Sequence, residues 1–281
     1  MRKVVIMNLE MIVTNKCNLD CAHCMRGQKC NNSMSDEVIE ATLSQVLAIH
    51  NLGICGGEPT LAVDVIEKIF NYIMEKGIIV GRVTAVINGT IYSGKFLECL
   101  EMIEKYIEKT LPNRLEKSSF LISKDIYHQE ELKRLKLDAR FLNNLEFYRS
   151  SKYYGGFFYL DPRLKLFREG NAENLDENRT VPLRIFPPII THVGKRVIGK
   201  FYLEDIDNGI CKIGSMVAVN CDGVITDCNA SIEHQKTIYN FGNVLNESIY
   251  DVCMKNGQVV KPHQFVRKIV RQEKEYGSYN N

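Results

Sequence analysis

The chain opens with an apolar segment that runs directly into a cysteine-rich loop, and residues 9–24 read LEMIVTNKCNLDCAHC. The apolar run Leu9–Thr14 predicts a β-strand. The loop after it spaces three cysteines as C-x3-C-x2-C. Cysteine thiolates are soft ligands that select zinc or iron–sulfur clusters, so this pattern predicts a metal-binding loop at the end of the first strand.

The three cysteines of this loop, Cys17, Cys21 and Cys24, favour an iron–sulfur cluster over zinc. A structural zinc ion takes four protein ligands, usually as two pairs, whereas here three thiolates lie within eight residues. Three protein ligands on a [4Fe–4S] cluster leave one iron open to a small molecule. The alternative is a zinc site that recruits Cys30 or His23 as its fourth ligand.

Alternating strand and helix patterns continue from this loop to about residue 160. β-branched apolar runs predict strands, and apolar residues at helical spacing predict helices between them. Repeated strand–helix units predict an α/β fold whose parallel strands are joined by right-handed crossovers. Strands are predicted at 51–55, 82–87, 119–123 and 157–160, and helices at 35–47, 65–74, 96–107, 130–137 and 141–148.

A glycine-rich loop, Gly56-Gly57-Glu58-Pro59-Thr60, follows the second predicted strand. Glycines let the backbone approach a ligand closely, and Glu58 can accept hydrogen bonds from an ammonium group. Polar loops also follow later strands, at 88–90 and 123–128. Because active sites of parallel α/β sheets and barrels form at the carboxyl ends of the strands, we expect these loops to meet in one site.

The composition excludes several other classes of protein. With 281 residues, 45% hydrophobic and 25% charged, the chain can bury a core without disulfides. Ten cysteines point to metal ligands, while Cys55 and Cys99 are expected in the core. The net charge of +2 disfavours nucleic acid as a partner, although the region after Lys255 is basic. No apolar run could span a membrane, and residues 1–13 predict a strand rather than a signal peptide, which favours a cytoplasmic protein.

Together, the cysteine loop and the Gly-Gly-Glu loop resemble the motifs of the radical S-adenosylmethionine (SAM) enzyme superfamily, over residues 9–160. The resemblance implies a partial (β/α)6 TIM-like barrel. It also implies that Cys17, Cys21 and Cys24 hold a [4Fe–4S] cluster whose fourth iron binds SAM. An electron from a reductant such as flavodoxin or ferredoxin then cleaves SAM, and the 5′-deoxyadenosyl radical abstracts a hydrogen atom from a substrate.

The same resemblance assigns further residues to the binding of SAM. His23 stands where the family commonly has an aromatic residue beside the adenine. The stretch Gly56-Gly57-Glu58 is expected to engage the methionine ammonium. Polar residues that end later strands are expected to hold the ribose and carboxylate, namely Asn88, Ser123 and Asp125. For these three residues, turn capping is the alternative.

After about residue 161 the sequence becomes polar and then rich in proline, and we place a domain boundary near residue 190. Residues 1–190 would form the radical SAM partial barrel. Residues 191–281 would form a small α+β domain that ends in a basic helix. Residues 168–172 lie where such proteins often have a glycine-rich link after the barrel. Antiparallel strands are predicted at 197–203 and 216–226, the second turning at Asp222-Gly223.

This second region resembles the SPASM and twitch extensions of radical SAM enzymes that modify peptides and proteins. The resemblance rests on Cys211, Gly223 and Cys228, and on segments 241–244 and 248–249, which predict a strand, a turn and a helix. A full SPASM extension carries seven cysteines, so two auxiliary clusters are excluded. Two alternatives stay open, namely one auxiliary iron–sulfur cluster or a twitch-like fold without one. The four candidate ligands are Cys211, Cys221, Cys228 and Cys253.

The predicted function is therefore that of a radical SAM enzyme acting on a peptide or protein. One alternative is a radical SAM enzyme acting on a small molecule or RNA, and the basic region after Lys255 is the only feature that favours RNA. An alternative of another class is a non-catalytic protein, either an iron–sulfur sensor or a zinc-stabilised scaffold. Gly56-Gly57-Glu58 argues against that class, because neither protein needs an ammonium-binding loop.

Overall fold

The computed structural model of the protein describes residues 2–161, 163, 165–181, 189–190, 196–197, 201–206, 210–226, 231–233 and 240–259. Cys228 and most of the basic C-terminal region lie outside these ranges, and the stretch around the predicted domain boundary is described only in part. The described residues form six α-helices, one large sheet and two small two-stranded sheets.

The first 160 residues fold as a repeated strand–helix unit, which confirms the predicted α/β class. The elements are β1 (Val4–Thr14), α1 (Asp36–Leu43), β2 (Val46–Gly56), α2 (Val63–Lys76), β3 (Ile79–Ile87), α3 (Gly94–Thr110), β4 (Ser119–Ser123), α4 (Ile126–Arg134), α5 (Asp138–Arg149) and β5 (Tyr154–Phe158). The five strands lie side by side in chain order and pair in parallel. Within the described ranges β5 pairs only with β4, so the sheet stays open, as in a partial barrel.

The two faces of this sheet differ in polarity. On β1, Leu9, Met11 and Val13 are fully buried in the hydrophobic core, while Glu10 lies half-exposed on the other, inner face. Gly53 of β2 is in register with Glu10, and a Cβ there would come within 3.0 Å of Glu10 Cγ. Side chains alternate along a strand, so every second residue of β2 counted from Gly53 lies on the inner face. The residues of β3 in register with them lie on the same face. This face presents the half-exposed residues Asn51, Cys55, Arg82 and Thr84.

The helices pack an apolar side against the outer face of the sheet. In α2 the buried residues repeat at helical spacing, namely Ile66, Ile69, Phe70 and Ile73. This helix ends at Gly77 with φ +67°, the left-handed conformation that glycine adopts most readily. Ser35 caps α1 by accepting a hydrogen bond from the amide of Val38, at 3.3 Å. No helix in the described ranges is long and apolar enough to cross a membrane.

Several predictions about the barrel region are wrong in part, because α4 begins before its predicted residues 130–137 and β5 before its predicted residues 157–160. Val46 and Leu47 do not extend the first helix, because α1 ends at Leu43 and Val46 pairs with β1. Their apolar spacing fits either structure, and the pairing with β1 decides between them. Cys55 is not a core residue, because it lies on the inner face and its thiol donates to Glu10 Oε2 at 3.2 Å. Cys99 is buried in α3, as predicted.

The chain after β5 adds strands to the same sheet and also forms the two small two-stranded sheets. Its elements are β6 (Leu166–Phe167), β7 (Thr180–Val181), β8 (Ile189–Ile190), β9 (Arg196–Val197), β10 (Phe201–Ile206), β11 (Ile210–Val219), β12 (Val224–Thr226), β13 (Gly242–Asn243), α6 (Ile249–Lys255) and β14 (Gly257–Val259). The hairpin with a turn at Asp222-Gly223 is confirmed, because β11 and β12 pair antiparallel around it. The sequence did not predict that β11 also pairs in parallel with β1, which gives the order β13-β12-β11-β1-β2-β3-β4-β5.

Candidate active site

The cysteine loop and the Gly-Gly-Glu loop are in direct contact at the carboxyl edge of the sheet. The amide of Gly57 donates to the carbonyl oxygen of Thr14 at 2.7 Å, and that of Glu58 to the carbonyl oxygen of Lys16 at 2.8 Å. A Cβ on Gly57 would overlap the Lys16 carbonyl group, whose carbon atom would be 2.7 Å away. Glycine at position 57 therefore lets the two loops lie against each other.

The three cysteines of the loop are half-buried and lie within electrostatic reach of one another. Burial raises the pKa of Cys17 to about 11, and the nearby Glu58 and Cys24 add to the increase. Burial also raises the pKa of Cys21, with further increases from Cys24 and Cys17. Desolvated thiols that repel one another when ionised need a nearby cation to stay deprotonated, and iron ions supply that charge.

This donor set fits a multinuclear cluster better than a single metal ion. In the described part of the chain, no three His, Cys, Asp or Glu side chains are placed to share one ion. The ligands of a zinc ion all surround one atom, whereas the cysteines of a [4Fe–4S] cluster bind different irons and lie further apart. Three thiols in one loop, without the paired ligands of a structural zinc site, are the donor set that a [4Fe–4S] cluster with one open iron requires.

Glu58 is buried, and its carboxylate joins two neighbouring segments. Its Oε1 accepts hydrogen bonds from the amide of Thr60, at 3.0 Å, and from the Thr60 hydroxyl. Its Oε2 accepts from the amide of Asn88 at 2.7 Å. Burial raises the pKa of Glu58, and these donors oppose the increase. The carboxylate predicted to bind an ammonium group therefore also ties the loop after β2 to the end of β3.

Replacing Glu58 by glutamine should lower the free energy of unfolding of the metal-free protein by about 1–3 kcal/mol. An amide turns a donor group toward Thr60 or Asn88, which leaves a buried N–H without its acceptor. Thermal unfolding measures this effect, and Glu108→Gln on the exposed side of α3 is the matched control. An unchanged melting temperature combined with weaker SAM binding would show instead that Glu58 acts on the ligand alone.

Asn88, the first residue after β3, connects the cysteine loop to α4. Its Nδ2 donates to Asn18 Oδ1 at 3.0 Å and lies 4.0 Å from Cys17 Sγ. Its Oδ1 accepts from the amide and the hydroxyl of Thr90, and its carbonyl oxygen lies 3.0 Å from His128 Nε2. Asn88 thereby orients the cysteine loop through Asn18.

His23, which precedes Cys24, packs its ring in a small aromatic stack. The ring lies on Tyr127, with centroids 4.9 Å apart and 21° between the planes, and the Arg179 guanidinium lies 5.0 Å from the Tyr127 centroid. His23 Nε2 is 3.4 Å from Asp125 Oδ2. Burial lowers the pKa of His23, and the Asp125 carboxylate opposes this change. The ring is held at a fixed orientation beside the cysteines, where a planar base can lie near it.

Asp125 caps α4, and its second carboxylate oxygen points into the same region. Oδ1 accepts from the amide of His128 at 3.0 Å, whereas Oδ2 is buried without a hydrogen-bond partner in the described residues. The Nδ1 atoms of His23 and His128 are likewise buried without a hydrogen-bond partner in the described residues. Ser123 ends β4 two residues earlier and is half-exposed. Buried polar atoms are normally hydrogen-bonded, so this region suits a polar ligand such as SAM.

A comparison with protein families matches residues 11–152 to the Radical SAM superfamily. This segment contains the cysteine loop, the Gly-Gly-Glu loop and strands β2 to β4, and it makes up just over half of the chain. The chain belongs to the radical SAM superfamily. Membership identifies it as a radical SAM enzyme and implies a [4Fe–4S] cluster and SAM as its cofactors.

Individual relatives of this radical SAM enzyme are distant. It is 35% identical over 68 residues to the uncharacterized protein MJ0907 of Methanocaldococcus jannaschii. The aligned segment covers 23% of this chain and 24% of that protein. One similar solved structure is described as native anSMEcpe with bound AdoMet and Cp18Cys peptide, and it is 16% identical to this chain. The match covers 89% of this chain and 80% of that chain, with a TM-score of 0.47. Streptococcus suis SuiB bound to precursor peptide SuiA is 12% identical, with coverages of 88% and 64% and a TM-score of 0.41.

The described C-terminal cysteines of this radical SAM enzyme lie in two places along β11. Cys211 is in register with Val4 at the start of β1, and burial and Cys211 together raise the pKa of the nearby Cys253. Cys221 lies past the other end of β11, where its thiol donates to the carbonyl oxygen of Ile12 at 3.0 Å. The length of β11 separates Cys211 from Cys221 by roughly 30 Å. Cys211 and Cys221 are therefore too far apart to bind the same cluster, whereas Cys228, the remaining candidate, lies outside the described residues.

Several residues that shape this radical SAM site were missed by sequence reasoning, namely Asn18, Thr60, Asn171 and Arg179. Two of them carried a local signal, because Asn18 lies inside the cysteine motif and Thr60 ends the Gly-Gly-Glu-Pro-Thr stretch. Asn171 lies in the predicted glycine-rich link at 168–172, but nothing in that stretch indicated its contact with Cys21, which lies 150 positions earlier.

Proposed function

We propose that this radical SAM enzyme modifies a peptide or protein. The proposed ligands of the cluster are Cys17, Cys21 and Cys24. Their spacing supports this assignment, and so do the electrostatic interactions among their thiols. SAM is proposed to lie against the residues at the same edge of the sheet, namely His23, Gly56, Gly57, Glu58, Asn88, Ser123 and Asp125.

When bound, the reduced cluster and SAM supply one-electron chemistry that removes a hydrogen atom from the substrate. The residues of the chain position these groups and limit the access of water. Glu58 and Asn88 hold the loops after β1, β2 and β3 at a fixed spacing. His23 offers a ring beside the adenine, and Asp125 Oδ2 can accept a hydrogen bond from a ligand hydroxyl or ammonium.

The polar inner face of the sheet carries the substrate proposal. Arg82 Nε and the hydroxyl of Thr84 both donate to Asn51 Oδ1, at 3.0 and 3.2 Å, and Glu10 lies on the same half-exposed face. A row of donors and acceptors along neighbouring strands matches the alternating N–H and C=O groups of a peptide. The strand β1 ends at the cysteine loop and β2 ends at the Gly-Gly-Glu loop, so a peptide on this face lies next to the proposed reaction centre.

The C-terminal region supports recognition of a large substrate. Its strand–turn–helix order, β13 followed by α6, is the one that resembles twitch extensions. Its hairpin turn also borders the cysteine loop, because Asn32 Nδ2 donates to Asp222 Oδ1 at 3.0 Å. In this proposal residues 191–281 are a twitch-like recognition domain, and a cytoplasmic flavodoxin or ferredoxin delivers the electron.

The proposal is tested with peptides encoded beside the gene, incubated anaerobically with reconstituted enzyme, SAM and a reductant. A peptide substrate should increase the formation of 5′-deoxyadenosine and change its own mass in the same reaction. Stimulation by RNA fragments or small metabolites, with every peptide inert, would contradict the peptide proposal while leaving the radical SAM assignment intact.

A substitution on the inner face tests whether the peptide binds there. Glu10→Gln should keep the slow cleavage of SAM without peptide and reduce the peptide-dependent increase several-fold, because it removes a charged acceptor from the proposed substrate face. Glu37→Gln, in the exposed first turn of α1, is the control and should leave both rates unchanged. Equal peptide turnover in the two variants would remove Glu10 from the substrate site.

A further inference from the structure

The segment 169–172 lies directly on the cysteine loop, although it follows the last barrel strand. The amide of Asn171 donates to the carbonyl oxygen of Cys24 at 2.9 Å. Its side-chain Nδ2 donates to the carbonyl oxygen of Cys21 and to Asp20 Oδ1, both at 3.1 Å. One residue therefore contacts the backbone of two of the three cysteines.

Two glycines make this close approach possible. Gly27, just after the cysteine motif, and Gly170 both have left-handed backbones, with φ of +68° and +60°. A Cβ on Gly170 would come within 2.5 Å of the carbonyl oxygen of Met25 and 2.6 Å of that of Cys24. Backbone thus packs against backbone, and any side chain at position 170 would push the segment away from the cysteine loop.

The same segment is connected to the C-terminal region. Glu169 is buried, and its Oε1 accepts a hydrogen bond from the amide of Ser231 at 2.6 Å. The amide of Ile232 donates in turn to the carbonyl oxygen of Arg26, which is part of the cysteine loop. The cysteine loop is therefore held by two distant segments that also contact each other.

We propose that Asn171 is a positioning residue for the cluster and that segment 169–172 couples the cluster loop to the C-terminal region. Hydrogen bonds around the ligands of an iron–sulfur cluster tune its potential and its stability. Asn171 fixes the peptide groups of Cys21 and Cys24, so it sets where their thiolates point. This inference rests on family membership and is independent of the substrate.

The first test uses metal-free protein, in which hydrogen–deuterium exchange is followed over residues 20–27. Asn171→Ala keeps the backbone donor and removes the side-chain amide, and it should speed exchange in this loop about 3- to 10-fold. Asn171→Asp keeps the size but turns a carboxylate toward two oxygen acceptors, so it should be at least as disruptive. Asn143→Ala on the exposed side of α5 is the control.

The second test uses reconstituted enzyme. Asn171→Ala should release iron to a chelator faster than Asn143→Ala and should shift the midpoint potential and the EPR spectrum of the cluster. Gly170→Ala should show the same changes more strongly. A role in general stability alone would instead lower the melting temperature and leave the potential and spectrum unchanged. That result, or exchange over residues 20–27 equal to the control in both Asn171 variants, would overturn the proposal.

Discussion

Replacing Cys17, Cys21 and Cys24 together by alanine is expected to abolish both iron binding and the cleavage of SAM. The three thiols are the proposed cluster ligands, and each holds a different iron of a [4Fe–4S] cluster. Iron in anaerobically reconstituted protein should fall from about four atoms per chain to nearly zero. The visible absorption of the cluster and the formation of 5′-deoxyadenosine should be lost with it.

Two outcomes of this experiment separate the remaining alternatives. Cys30→Ala is the control, because Cys30 lies in the same loop outside the motif and is the proposed fourth ligand only in the zinc alternative. It should retain iron and activity. About four irons remaining in the triple variant would reveal an auxiliary cluster that does not contain Cys211 and Cys221 together. Stoichiometric zinc in the wild-type protein, without cleavage of SAM, would contradict the cluster assignment.

Replacing Gly57 by alanine should damage the site almost as severely, although the residue carries no side chain of its own. The added methyl group would overlap the Lys16 carbonyl, which is backbone and cannot rotate away. The two loops must then separate, with loss of the hydrogen bonds to Thr14 and Lys16. We expect a decrease of about 2–3 kcal/mol in the free energy of unfolding, and poor retention of iron.

Gly94→Ala is the matched control for Gly57→Ala. Gly94 is the first residue of α3, and a Cβ there would have no atom within 4 Å. Alanine at that position should leave iron retention unchanged and stabilise the protein by up to about 1 kcal/mol, since glycine loses more backbone entropy on folding. Equal melting temperatures and iron contents for the two variants would show that the loops do not need their close contact.

The sequence predicted the cysteine loop and its place in the fold because both depend on local patterns. The spacing of the three cysteines is a property of eight consecutive residues. The apolar runs before this loop and before Gly56-Gly57 have the composition of buried parallel strands. Local patterns failed at Val46 and Leu47, which are apolar at helical spacing and join β2 through pairing with β1.

The residues that surround the proposed cluster were only partly predictable. Glu58 and Asn88 were expected at the site from the loops they occupy, but their hydrogen bond to each other was not. A buried carboxylate takes the donors that the folded backbone places around it, and here these come from the end of another strand. The same reasoning applies to Cys55, whose contact with Glu10 depends on which side of β2 faces the inner surface.

The sequence by itself determined the α/β class, the order of β1 to β5 and the loop that carries the proposed cluster ligands, because short-range periodicity and spacing encode them. Only the tertiary structure decided that β11 lies beside β1, that Cys211 and Cys221 are at opposite ends of that strand, and that Asn171 holds the cysteine loop. The physical reason is that Asn171 contacts Cys21 across 150 positions and Cys221 contacts Ile12 across 209 positions. The packing of the whole chain selects such partners, because no local preference can.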